Sequence, residues 1–581
     1  MLGLHKSTKN ELNTNLRITT TVFCIYFSPL FGRGVGGETF SQPQDHNAMK
    51  FAKTITAEDL KRHLSVLASD EYEGRETGKE GQKKAAKYIA EDFKKIRLKS
   101  ATDSTYLQKF PLTLSTPEGA YVKVNKTNYE NFKDFYVFPY RKDLKLEAKS
   151  ILFLGYGISD EKYDDYKNAD VKDKIILVLG GEPMSKHSVS FITGTKEFSD
   201  WTNNYRKKTE LAKSKGAEAL IIVNNNFDAN IIFLKHFLES PSLKLSREGA
   251  SSEESDKAEK KDEKSRSSRD QSSGPTKSAD SVLQRSGNKI PQIGISIKMA
   301  NDILASQKIT VDNIKKKIRK KKESVSFEIK SPFELEIKNK EDKISSENVL
   351  GMIEGSEFKD EVVFVTAHYD HLGMHDGKVF NGADDDGSGT VGVMEIAEAF
   401  AKAKEAGFTP KRTLVFMTVA GEEKGLLGSS YYTDNSIFPI ANTVCDLNID
   451  MIGRTDDEHK DSIDYLYIIG SDKISTDLHK INENANSTYT KLKLDYKFND
   501  PKDPNRFYYR SDHYNFAEKG VPIIFYFNGT HDDYHEETDE IDKINFELLA
   551  KRAQLVFYTA WEVANRKDRI KSDVPQEKEK K

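Results

Sequence analysis

Cysteine is nearly absent from this chain: of 581 residues, only Cys24 and Cys445 carry a thiol. No disulfide framework beyond a single bridge can form, and the count does not fix a redox compartment. Net charge is also small. The 89 basic and 92 acidic residues leave a formal charge of −3, which gives no global reason to expect nucleic acid or an anionic membrane as partner. Apolar residues make up 37%, low for a globular chain, so part of the length is expected to be disordered. Long apolar runs are missing too. "ITTTVFCIYFSPLF" at 18–31 follows Lys6, Lys9 and Arg17 and is too short to span a bilayer. A basic region before a short apolar run has the form of a secretory signal. Cys24 sits in no lipobox, because Phe23 stands where a small residue is needed. Residues 1–47 are therefore expected to be a leader. The mature chain is expected to lack an integral membrane segment and to be exported, periplasmic or extracellular, with membrane association left open.

The length exceeds one ordinary domain. Residues 48–110 read as helical at first: Thr56 can cap a helix bearing Leu60, Leu64 and Leu67, and Ala85, Ile89, Phe93 and Ile96 form a second stripe. Across 111–340 the texture is β-rich, with runs "SILFLGYG", "DKIILVLGG", "ALIIVNN" and "IPQIGISI" and a helix ending at Gly216. Within it, 246–288 is almost wholly Ser, Lys, Glu, Asp, Arg and Gly. Such a segment cannot bury enough apolar surface to offset its ordering entropy and reads as a disordered insertion. The basic run "KKKIRKKK" at 315–322 reads as a solvated helix face. From 341 to 566, near-continuous apolar strands alternate with amphipathic helices, which predicts an α/β domain with a mostly parallel, mixed sheet flanked by helices. A charged tail, 567–581, closes the chain.

The segment "NGADDDGSG" at 381–389 puts three carboxylates side by side. A lone triple of this kind is more often an acidic surface turn than a cation site. Its neighbours change the balance. Strand "VVFVTA" is followed by His368, Tyr369, Asp370 and His371, "TLVFMTVA" by Glu422 and Glu423, "TVCDLNI" by Asp450, and "VPIIFYF" by Tyr534 and His535. In parallel sheets functional groups collect beyond the carboxyl ends of the strands. Imidazole with carboxylate and no thiolate suits a catalytic Zn²⁺ site, and adjacent glutamates can supply a ligand and a general base. Two metals would need a bridging carboxylate, a role open to one aspartate of the triple.

The ordered series "AHYDH … NGADDDGSG … GEE … NIDMIG … YH" resembles the co-catalytic di-zinc aminopeptidase family, which also contains glutamate carboxypeptidase and the transferrin receptor. The resemblance covers roughly 348–566. It implies a zinc-exopeptidase-like α/β fold, two Zn²⁺ per chain and peptide substrates. Carried over by position, it makes Asp385 the bridging ligand, His368 and Asp450 the other ligands of one metal, and Glu423 and His535 those of the second. Glu422 becomes the general base, Asp370 the residue orienting His368, and Tyr534 the donor to the oxyanion. Ser511, Asp512 and His513 fall in the stretch that lines the substrate pocket, and Asp384 and Asp386 read as supporting residues. The middle region resembles a protease-associated domain through "VKDKIILVLGGEP", "KTELAKSKGAEALIIVNN" and "IPQIGISI", with 246–288 an addition to the usual pattern.

The expected function is an exported metallo-aminopeptidase using a water activated by two zinc ions. A dipeptidase or carboxypeptidase on the same site is the alternative, and it would need a cation for the substrate carboxylate, with Arg510 or Arg75 as candidates. A non-catalytic binding protein on this scaffold is a further alternative, disfavoured because no ligand and no base is missing. A glutaminyl cyclase is disfavoured by the His at 368. Composition gives no sign of a nucleic-acid partner and leaves the oligomeric state unknown.

Overall fold

The computed structural model describes residues 44–102, 105–138, 140, 143–246 and 290–575. Almost all of the leader, Cys24, the insertion beyond Ser246 and the last residues of the tail lie outside the described residues. Helix α1 (Ala57–Leu67) starts where the Thr56 side chain accepts a hydrogen bond from the Asp59 amide, and buries Leu60, Leu64 and Leu67. Helix α2 (Glu80–Lys95) buries Ala85, Ile89 and Phe93, while Ile96 forms its C-cap.

Strands β1 (Leu107–Val124) and β2 (Phe333–Ile353) pair antiparallel along most of their length. In β2, buried Phe333, Leu335 and Ile337 alternate with charged neighbours, the pattern of a strand covered on one face. This strand runs unbroken through residue 341, where the sequence texture changes, and so ties the β-rich region to the α/β part.

The α/β part adds β3 (Phe358–His368), β4 (Arg412–Val419), β5 (Thr443–Ile449), β6 (Tyr465–Ile469), β7 (Lys493–Asp495) and β8 (Ile523–Phe527). Along its main path the sheet order is β7-β6-β8-β5-β3-β4-β2-β1, with the short strand Thr127–Tyr129 beyond β1. Strands β8, β5, β3 and β4 are parallel, whereas β6 runs against β8 and β2 against β4. The sheet is therefore mixed, parallel through β8, β5, β3 and β4 and joined antiparallel to β6 on one side and β2 on the other. Helices α3 (Gly389–Glu405), α4 (Thr476–Ala485) and α5 (Phe546–Asn565) pack on one face. The continuous apolar run of β3 follows from having both faces covered. Val363, Val365 and Ala367 join the core beneath α3 and α5, while Val362 and Phe364 pack on the other side with Met417, Tyr432 and Phe516. Full burial of side chains this size contributes about 1.5–3 kcal/mol each.

A second sheet orders Ser326–Ile329, Ile151–Leu154, Ile175–Leu179, Ala219–Val223, Gln292–Ile295 and Phe135–Val137. It contains all four apolar runs of the β-rich region. The basic run lies mostly on helix Val311–Lys321, which buries Ile314 and Ile318 and turns most of its lysines to solvent. Among the described residues no helix is long and apolar enough to cross a membrane.

Candidate metal centre

Because β3, β4, β5 and β8 are parallel, their carboxyl ends share one rim. His368 ends β3, Glu422 and Glu423 follow β4, Asp450 follows β5, and Tyr534 and His535 lie in the loop after β8. Two backbone features aim them. Gly421 has φ +80°, and a Cβ there would sit 2.9 Å from Leu427 Cβ, so only glycine makes the turn that presents the glutamates. His535 itself is left-handed at φ 62°, a costly conformation for a non-glycine residue and one often found at functional sites.

Asp385 is the centre of the arrangement. Its Oδ1 lies 3.3 Å from His368 Nε2 and its Oδ2 lies 3.1 Å from His535 Nε2. On one side Asp450 Oδ1 is 3.6 Å and Glu422 Oε2 4.0 Å from His368 Nε2. On the other, Glu423 Oε2 is 3.3 Å from His535 Nε2. The five proposed ligands and the proposed base are thus drawn into one cluster, with imidazoles flanking a single carboxylate.

Tyr534 stacks on His535, ring centroids 3.9 Å apart, and burial pushes its phenol up to about 12. Asp370 acts differently from a simple carboxylate–imidazole pair. His368 Nδ1 is 3.1 Å from the Asp370 carbonyl oxygen and 3.8 Å from its carboxylate. That carboxylate accepts from the Thr77 hydroxyl at 2.6 Å and the Glu422 amide at 3.2 Å, so it also holds the base-bearing turn.

The charges are strongly coupled. Burial alone would lower the His368 and His535 imidazoles, but Asp450 and Glu422 around the first, and Glu423 beside the second, push both well above the ordinary range. Burial would raise Asp385 and Glu423, yet the flanking imidazoles hold both well below the usual carboxylate range. Glu422 goes the other way: burial, and after it repulsion from Glu423 and Asp450, lifts it well above. The cluster therefore demands positive charge. His368 Nε2 and Asp385 Oδ2 point inward, buried, and make no well-formed hydrogen bond. Two imidazoles and three carboxylates without sulfur fit Zn²⁺ as a donor set.

The remaining aspartates of the triple are already engaged. Asp386 lies close enough to His368 and Asp450 to join a ligand set. Its oxygens, however, accept from the amides of Gly389 (2.9 Å), Met451 (2.9 Å) and His368 (3.2 Å). Asp384 accepts from Ser388 Oγ at 2.9 Å and the Gly453 amide at 2.7 Å, and meets His531 Nε2 at 3.1 Å. Three residues with structural weight here had no role in the sequence reading, or a different one. His371 is buried with Nδ1 2.9 Å from Glu423 Oε1. Its place after Asp370 in "HYDH" was the available signal. Asp539 accepts from the amides of Asp384 and Asp385, and its carboxyl is pushed up to about 6 by burial and by Asp384. Arg75, considered above as a partner for a substrate carboxylate, is instead fully buried, donating to the carbonyls of Leu67, Tyr369, Asn381 and Gly382.

Ser511, Asp512 and His513 are all buried. Ser511 Oγ accepts from Asn448 at 3.0 Å, Asp512 accepts from Ser429 Oγ, and His513 Nε2 is 2.8 Å from the Tyr508 carbonyl oxygen. Arg510, beside them, is exposed and donates to Tyr534 Oη at 3.2 Å.

Residues 348–560 match the family described as Peptidase family M28. Over 265 residues, 38% of this chain and 52% of the relative, the sequence is 28% identical to a probable zinc metalloprotease of Pyrenophora tritici-repentis. Over 244 residues, 41% of this chain and 49% of the relative, it is 26% identical to aminopeptidase YwaD of Bacillus subtilis. The chain spans about half the length of these curated relatives. The solved aminopeptidase from Aneurinibacillus sp. strain AM-1 overlaps 91% of this chain and 98% of its own, at 18% identity and a TM-score of 0.50, a likeness of fold.

Proposed function

We propose that this chain, whose residues 348–560 match Peptidase family M28, is a member of that family and a zinc aminopeptidase with two metal ions. The observation that carries the reading is Asp385, whose two carboxylate oxygens each face a different imidazole, at 3.3 and 3.1 Å. On this reading His368, Asp450 and Asp385 hold one Zn²⁺, and His535, Glu423 and Asp385 the other. Zinc held by these residues would supply Lewis acidity toward a peptide carbonyl and make a water easier to deprotonate near neutral pH. Glu422, its amide held by the Asp370 carboxylate, would take the proton from the attacking water and return it to the departing amine. Tyr534 donates from Oη to the oxygen that gains negative charge. The sequence likeness to aminopeptidase YwaD supports the aminopeptidase choice.

Arg510, exposed and bonded to Tyr534, favours a second reading: a dipeptidase that binds the substrate's free carboxylate. Aminoacyl-nitroanilides, their N-acetylated forms, and dipeptides with free or amidated C-termini separate the two. The aminopeptidase reading expects cleavage of free-amine nitroanilides, none of acetylated ones, and loss with chelator. Cleavage that requires a free C-terminal carboxylate would replace it with the second reading.

A further inference from the structure

A second group of metal-ligating side chains is buried in the helix layer. His63 on α1 and Glu395 and Glu398 on α3 place their ligand atoms all within 4.8 Å of one another. His63 and Glu395 are wholly buried. His63 Nε2 stands 3.4 Å from Glu395 Oε1, while Nδ1 lies 2.8 Å from Tyr88 Oη on α2. The tyrosine thus fixes the ring and leaves Nε2 facing the carboxylates, the way a metal-bound imidazole is usually oriented. Both oxygens of Glu395 are buried and accept no hydrogen bond, an arrangement that is strongly unfavourable for a carboxylate without a cation.

The cations nearby approach from the edge. Arg62 Nη2 is 3.7 Å from Glu395 Oε1 and Lys402 Nζ is 3.0 Å from Glu398 Oε1, but their side chains are 46% and 38% exposed. Arg62 is also shared with Asp59 at 3.3 Å. Neither donates a hydrogen bond to Glu395.

We propose that His63, Glu395 and Glu398 form a structural site for a first-row divalent cation, separate from the centre on Asp385. One imidazole nitrogen and two carboxylates, with no sulfur, suit Zn²⁺ or Mn²⁺. The ion ties α1 to α3, the helix that begins directly after the aspartate triple. Its role is to stabilise that layer, and it takes no part in the chemistry. The proposal does not rest on the catalytic reading, because its ligands and its readout are different.

The full chain and its His63→Gln, Glu395→Gln and Glu398→Gln variants are dialysed metal-free and titrated with Zn²⁺ or with Mn²⁺ alone. Bound metal is counted by mass spectrometry and Tm is followed at each step. The wild type is expected to bind one equivalent more than His63→Gln or Glu395→Gln. That equivalent raises its Tm but not theirs, and kcat of the loaded variants stays close to wild type. Glu398→Gln should bind the extra ion about tenfold or more weakly. Equal stoichiometry in wild type and Glu395→Gln, or a Tm in Glu395→Gln that matches or exceeds wild type at saturating metal, overturns the site and marks an imidazole and a carboxyl sharing a proton. Should His63→Gln and Glu395→Gln fail to fold, Glu398→Gln decides alone: its side chain is partly exposed, and unchanged affinity for the extra ion overturns the proposal.

Discussion

At the scale of single residues, three adjacent aspartates do three different jobs. Asp386 is saturated by three amides and Asp384 by a hydroxyl, an amide and an imidazole, which leaves Asp385 to face His368 and His535. Asp385→Ala should therefore lose at least one of two zinc ions and nearly all activity, whereas Asp386→Asn should keep both ions and show a lower Tm. Metal analysis beside a melting curve checks this, and equal metal content in the two variants would count against Asp385 as the bridge. Glu422→Gln keeps the shape and removes the proton acceptor. It should retain both metals while kcat falls roughly 10³-fold, as expected for loss of a positioned base. Near wild-type kcat in a fully metallated variant would remove Glu422 from the mechanism. That Asp385, Glu423 and His535 would gather at one rim was readable because each follows a strand or opens a helix in a fixed order, while the role given to each came from the family resemblance. His371 was visible in "HYDH" but its contact with Glu423 was not, and Asp539 was hidden altogether, because its importance lies in the two amides it accepts from.

At the scale of elements, the site depends on loops from separate strands being held in one register. Arg75 does much of this, joining the end of α1, the segment after β3 and the approach to the aspartate triple through four carbonyls. Arg75→Met leaves those acceptors buried without donors, at a cost of about 1–3 kcal/mol for each one left unsatisfied. A Tm lowered by several degrees, with weaker retention of the active-site zinc, is the expected result in calorimetry and metal analysis. An unchanged melting curve would show that the loops hold without it. The parallel strands and their helices were legible, since β3, β4, β5 and β8 are short, largely apolar runs, buried on both faces where they pair, that end in turns. The β1–β2 pairing was not. The first half of β2 alternates charge with apolar residues, and its partner lies more than two hundred positions earlier, so nothing local announces that the two strands extend the main sheet.

At the scale of the whole molecule, β2 runs from the β-rich region into the sheet that carries the candidate centre, so the mixed sheet is continuous from β1 to β7. The centre at its rim packs carboxylates and imidazoles whose charges the fold tolerates only in combination. Any cation bound there stabilises the folded state by mass action. Chelation should therefore lower Tm as well as abolish activity, and added Zn²⁺ should restore both. A chelated protein with unchanged Tm and full activity would mean that the cluster is held by protons alone. The most direct test of the central claim is zinc anomalous scattering from a crystal of the metal-loaded full chain. The account predicts two peaks flanking the Asp385 carboxylate, one toward His368 and Asp450 and one toward His535 and Glu423. A single peak there, or a peak ligated by Asp386 in place of Asp385, would contradict it.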